Sequence, residues 1–142
     1  MIDAFWDSSS FVPLCVTQEA SHQAQQLVRE YSFVTWWATA IEVASAIERL
    51  TRTGDISPEE SQAAHWRRKK LLRACKVIQA EGAVLDQAQE IILRFPLKAA
   101  DALQLAAAWV WTMGDPSGST LISGDRQVLV VAKDMGFKTI QC

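Results

Sequence analysis

Short apolar runs alternate along the chain with longer stretches whose apolar positions recur at helical spacing. Ile2–Trp6 reads as a strand buried on both faces, because nearly every position is apolar. Residues 17–31 are predicted as a helix capped by Thr17, and residues 32–36 as a second strand. Thr39-Ala40-Ile41-Glu42 has the pattern of a capping box. The helix it opens carries a core face of Val43, Ala44, Ile47 and Leu50, and Gly54 is its stop. Ser57-Pro58-Glu59-Glu60 begins another helix in the same way, with Pro at the first helical position. A short strand is predicted at 76–79. A helix at 85–94 halts at Phe95-Pro96, and an apolar helix covers 97–111. After a turn at 113–119 come a strand, Thr120–Ser123, a helix, Arg126–Met135, and a last strand, Lys138–Gln141. Strands alternating with helices predict an α/β fold in three layers, a mostly parallel sheet of about five strands covered on both faces.

With 142 residues and no Gly/Ser-rich linker or repeat, the whole chain, 1–142, is expected to form one domain. Charged residues are 21% and apolar ones 49%, which excludes a disordered or fibrous chain. No apolar run is long enough to span a membrane, and the start lacks the basic and apolar regions of a signal peptide, so a cytoplasmic location is expected. The net charge of −2 argues against nucleic-acid binding by bulk charge alone. Cys15, Cys75 and Cys142 form no CxxC pair and are expected as reduced thiols; two histidines make a structural zinc site improbable.

The candidate chemistry is acidic. Asp7 directly follows the first strand, and Asp125 follows Thr120–Ser123 across Gly124. In parallel sheets, ligands gather beyond these carboxyl ends. Each acid also stands before a helix, where an N-cap is the ordinary role. Asp101 is the only charged residue between Ala99 and Trp111, so a helix buried on most sides carries a carboxylate. That carboxylate costs several kcal/mol unless a cation or donor meets it; pairing with Lys98 is the structural alternative. A capping role accounts for Glu42, but its place in the first turn after a strand also points it toward the Asp7 edge. Four acids converging on one edge would repel each other unless a hard cation such as Mg²⁺ or Mn²⁺ joined them. Setting them aside leaves 12 acidic side chains against 14 basic ones, a surface that suits a polyanion.

These segments resemble the PIN-domain ribonucleases, and most closely the VapC-type toxins of bacterial toxin–antitoxin pairs. The resemblance runs through Trp6-Asp7-Ser8-Ser9-Ser10-Phe11, Thr39-Ala40-Ile41-Glu42-Val43-Ala44 and Leu121-Ile122-Ser123-Gly124-Asp125-Arg126. The most specific piece is Leu97-Lys98-Ala99-Ala100-Asp101-Ala102-Leu103-Gln104-Leu105-Ala106. It implies a PIN-like fold and metal-dependent endonucleolytic cleavage of RNA, leaving a 3′-hydroxyl and a 5′-phosphate. Asp7, Glu42, Asp101 and Asp125 would hold Mg²⁺ or Mn²⁺, with Ser9 and Ser123 orienting carboxylates or else capping their turns. It also implies a homodimer and an antitoxin peptide seated in a groove, often with a basic side chain among the acids.

Two alternatives stay open within the same fold: a housekeeping nuclease of RNA maturation and a non-catalytic binding module. A phosphoryl-receiver domain needs an acidic pair after the first strand, and a haloacid-dehalogenase-type phosphatase needs Asp-x-Asp; Asp7-Ser8-Ser9 meets neither. The run Arg67-Arg68-Lys69-Lys70, with Arg73 beyond it, covers every side of a helix. Its ordinary role is solvation, and contact with an RNA backbone is the alternative, with Arg49 and Arg52 as possible partners. Lys98 and Arg126 adjoin site acids. Trp36, Trp37, Trp109 and Trp111 are expected in the core, whereas Trp66 beside the basic run is a candidate for exposure.

Overall fold

A computed structural model describes residues 1–142. Five strands form one all-parallel sheet: β1 (Ile2–Trp6), β2 (Tyr31–Trp36), β3 (Lys76–Ile78), β4 (Thr120–Ser123) and β5 (Lys138–Gln141), in the order β3-β2-β1-β4-β5. β1 lies at the centre. Phe5 pairs with Val34 of β2 on one side and with Leu121 of β4 on the other.

Seven helices connect the strands: α1 (Ser8–Cys15), α2 (Ser21–Leu27), α3 (Thr39–Arg52), α4 (Pro58–Arg73), α5 (Gly82–Arg94), α6 (Ala99–Trp111) and α7 (Arg126–Met135). Alternation along β1 sorts them into two layers. Phe5 joins Val34, Leu121, Val84, Leu105 and Val128 in a core under α5, α6 and α7. Ala4 and Trp6 point the other way, meeting Phe11, Val43, Ile47 and Ala64 of α1, α3 and α4. Phe5 and Trp6 are wholly buried, and each such side chain stabilises the fold by roughly 1.5–3 kcal/mol. The Trp6 indole N–H donates to the Ser32 carbonyl, which satisfies its one polar atom. No helix is long and apolar enough to cross a membrane. The three cysteines are free, and burial pushes the Cys15 thiol up to about 11 and Cys75 up to about 12.

Three expectations need correction. The helix predicted at 17–31 is confined to Ser21–Leu27, with a turn before it and β2 starting at Tyr31. Ser21 sets that start: its hydroxyl accepts the Gln18 N–H at 2.8 Å and donates back to the Pro13 carbonyl at 2.7 Å, tying the loop to the end of α1. The Thr39/Glu42 capping box does not form. Ala38 is the N-cap, and Thr39 lies inside α3 with its side chain buried. By contrast, the box between Ser57 and Glu60 is complete in both directions. Trp37 is 57% exposed rather than in the core, while Trp36 beside it is buried. α3 ends where expected, Gly54 supplying the positive φ of +79° that turns the chain away.

Candidate active site

The site lies at the carboxyl edge of the sheet, beside β1, where the order of strand addition reverses: β2 and β3 lie to one side and β4 and β5 to the other. Asp7 is the first residue beyond β1 and is 2% exposed. It occupies the N-cap position of α1, yet its side chain makes no capping bond. Three serine hydroxyls donate to it instead. Ser9 Oγ and Ser123 Oγ reach Oδ2 at 2.9 and 2.5 Å, and Ser8 Oγ reaches Oδ1 at 3.3 Å. Burial pushes the Asp7 carboxyl above the usual range, and the hydroxyls pull against it.

Those serines are fixed from behind by backbone. The Gly124 N–H donates to Ser9 Oγ at 2.9 Å, and the Asp125 N–H donates to Ser123 Oγ at 3.0 Å. The loop after β4 is thereby tied through two hydroxyls to the acid after β1. Ser9 and Ser123 thus both contact Asp7. Ser8 was not among the expected contacts, although it stands in the same serine run. Gly124 is required by crowding: a Cβ there would lie 2.7 Å from the Cys142 carbonyl oxygen.

Glu42 sits in the first turn of α3 and is partly buried. Its Oε2 accepts from Gln104 Nε2 at 2.7 Å, and the same amide nitrogen donates to Thr39 Oγ1 at 3.0 Å. Thr35 Oγ1 stands 2.9 Å from Thr39 Oγ1 and 2.8 Å from the Trp6 carbonyl oxygen, carrying this polar chain under β1. Gln104 is buried, and its Oε1 has no hydrogen-bond partner. The amide is therefore oriented by Glu42 and Thr39 alone. Burial holds the Glu42 carboxyl up at about 7, with Gln104 opposing the shift and Asp7 and Asp101 adding to it.

Asp101 is the first-turn acid of α6. Lys98 stands three residues away but makes no ion pair with it; the only pairs are His65–Glu48 and Lys76–Asp3. Burial raises the Asp101 carboxyl first, then the charges of Asp125 and Asp7, while Lys98 lowers it weakly. Asp125 caps α7 through Oδ1, which accepts from the Gln127 and Val128 N–H groups at 2.8 and 3.3 Å. Its ordinary capping role is real, and it leaves Oδ2 without a protein partner.

The four acids thus occupy one electrostatic neighbourhood. Asp7 acts on Glu42 and Asp101, Asp101 on Glu42, and Asp125 on Asp101. They line the edge without closing on one point: no three His, Cys, Asp or Glu side chains form a ready cluster for a metal ion. In kind, the donors fit a hard divalent cation: they are carboxylate oxygens, none has an ion-pair partner, and neighbouring acids add to the rise that burial causes at Glu42 and Asp101. Beside Glu42, a groove of about 660 Å³ runs between α1 and α3, with Val12, Ile41, Ala46 and Leu50 on its walls and Arg49 at its side.

Several solved structures share this fold. The toxin-antitoxin complex from Klebsiella pneumoniae matches with a TM-score of 0.60 at 16% identity, over 86% of this chain and 86% of that one. VapBC2 from Rickettsia felis, bound to a DNA fragment from its promoter, matches at 0.65 and 9% identity, over 99% and 98%. FitAcB from Neisseria gonorrhoeae matches at 0.66 and 14% identity, over 99% and 96%. No curated protein matches the chain significantly in sequence. The PIN domain family model aligns with residues 4–134, a span that takes in all four acids, the three serines that meet Asp7, most of β1 and the whole of β2, β3 and β4. By that match, the chain belongs to the PIN domain family.

Proposed function

We propose that the chain is an endoribonuclease of the VapC toxin type, with Asp7, Glu42, Asp101 and Asp125 as its metal-holding acids. The observation that carries this reading is the electrostatic coupling of four carboxylates at the carboxyl edge of a PIN-family sheet. Mg²⁺ or Mn²⁺ bound there would supply an activated water and neutralise charge on the phosphodiester. The chain's own part is to hold the acids still. Ser9 and Ser123 fix Oδ2 of Asp7, and Gln104 fixes Oε2 of Glu42. Asp125 is anchored by its cap, while Asp101 and the second oxygens of Glu42 and Asp125 stay uncommitted. Such pre-positioning removes reorganisation from the reactive step.

The Klebsiella pneumoniae neighbour, described as a toxin–antitoxin complex, supports a protein antitoxin as partner. The apolar groove ending at Glu42 is a suitable seat for its peptide, whose basic side chain would enter among the acids. A homodimer and a cytoplasmic location complete the proposal.

The test is mapping of new RNA 5′-phosphate ends after expression of the wild type and of Asp101→Asn, with purified protein assayed in Mg²⁺ and in EDTA. The proposal expects new ends from the wild type only and cleavage that chelation abolishes. Identical maps for the two proteins would overturn it. A housekeeping role would appear as a few maturation cuts without growth arrest.

A further inference from the structure

The structure divides the basic run of α4 into two parts with different duties. Arg67 donates from Nη1 to the Cys15 carbonyl at 3.0 Å, pinning α4 to α1. Arg68 donates from Nε to His65 Nδ1 at 3.2 Å, and His65 Nε2 meets Glu48 Oε2 at 2.9 Å. These two cations are used by the fold. Lys69, Lys70 and Arg73 are exposed and make no ion pair. They lie three, four and seven residues beyond Trp66, so all four share one face of the helix. Trp66 is 65% exposed, and the Lys70 ammonium sits 5.2 Å from its ring centroid. The acids of this helix, Glu59 and Glu60, stand in its first turn, away from the cations.

We propose that this face of α4 docks single-stranded RNA, with Trp66 stacking on a base and Lys69, Lys70 and Arg73 meeting phosphates. The proposal rests on the ribonuclease reading above. The solvent-facing indole of Trp66 offers a flat ring for stacking, and its surroundings indicate on what. A protein interface surrounds an aromatic anchor with apolar neighbours. Here the free charges are cations, which complement a polyanion; the one carboxylate in the cleft beside Trp66, Glu48, is already engaged by His65. A duplex keeps its bases stacked inside, whereas a single strand can offer a base to a ring and phosphates to the lysines beside it. The overall negative charge is no obstacle, since the three free cations are segregated on one surface.

The experiment measures binding of a labelled, unstructured RNA of about 12 nucleotides by fluorescence anisotropy, with the whole protein in EDTA so that binding is read without turnover. Trp66→Ala is expected to weaken binding about tenfold, with Trp66→Phe recovering most of the loss. The double variant Lys69→Gln/Lys70→Gln is expected to lower the slope of log affinity against log salt by about 1.4. A blunt RNA duplex should be insensitive to Trp66→Ala. Thermal melting of Trp66→Ala should match the wild type, since the ring is exposed. Wild-type affinity in Trp66→Ala overturns the proposal. So does a change in oligomeric mass with RNA affinity intact, which would make the face a protein contact. Cleavage by Asp101→Asn, assayed in parallel, reports separately on the nuclease reading: retained cleavage sinks that reading, whereas the oligonucleotide affinities judge only this surface.

Discussion

Glu42→Gln should make the metal-free protein more stable at neutral and alkaline pH, against the usual effect of altering a buried polar site. In the folded chain the Glu42 carboxyl is held at about 7 against an ordinary 4.5, chiefly by burial. The folded state therefore binds this proton more tightly than the unfolded one. The stability carried by the protonated form is complete below about pH 4.5, is lost as pH rises, and is gone above about pH 7. Taken whole, the shift corresponds to about 3 kcal/mol. Glu42 is only partly buried, so solvent screening reduces this to about 1–2 kcal/mol. Gln at position 42 carries no charge and still offers an oxygen to Gln104 Nε2, so the buried hydrogen bond survives. Melting followed by circular dichroism in EDTA should show the variant roughly 3–8 °C above the wild type near pH 8. Near pH 4 the two curves should approach each other. Adding Mn²⁺ should raise the wild-type midpoint more than that of the variant. Coincident melts near pH 8 would refute the reasoning, because Glu42 would then carry no charge strain for a cation to relieve.

Gln104→Leu removes the donor shared by Glu42 and Thr39 but also removes an unpaired buried oxygen; we expect a net loss of about 1 kcal/mol in thermal stability and a larger proportional loss of Mn²⁺ affinity by calorimetry. Gly124→Ala would place a methyl group 2.7 Å from the Cys142 carbonyl. The local shift should cost about 1–3 kcal/mol in denaturant titrations and displace the amide that holds Ser9, lowering cleavage. Ser57→Ala breaks the capping box far from the acids. It should cost about 1 kcal/mol and leave the cleavage rate per folded molecule unchanged.

The strand order of events along the chain was legible because buried parallel strands are short, apolar and bounded by turn residues. β1, β4, α7 and β5 fall on the predicted residues. The places of the four acids in the fold were legible for a related reason: each stands in a short local pattern at a strand end or first helical turn. Gln104 was not, although it is the only other polar side chain in an apolar helix. Its partners, Thr39 and Glu42, lie 65 and 62 residues away, a relation no local window contains. The same limit explains Thr39. Its sequence pattern is that of a cap, but Gln104 and Thr35 draw its hydroxyl inward and the helix begins one residue earlier. At 17–31, periodicity overrode a stop imposed by one serine hydroxyl reaching back to α1.

β1 takes β2 on one side and β4 on the other, and β4 arrives only after α5 and α6 have crossed the sheet. Asp7 and Glu42 are therefore synthesised long before Asp101 and Asp125, and neither pair can stand in for the other. A chain still emerging from a ribosome holds two of the four acids, with Ser123 not yet there to grip Asp7. Under the nuclease reading, a growing polypeptide is harmless to the RNA that encodes it and to the ribosome making it. Its hazard begins only when the late strand slots into place.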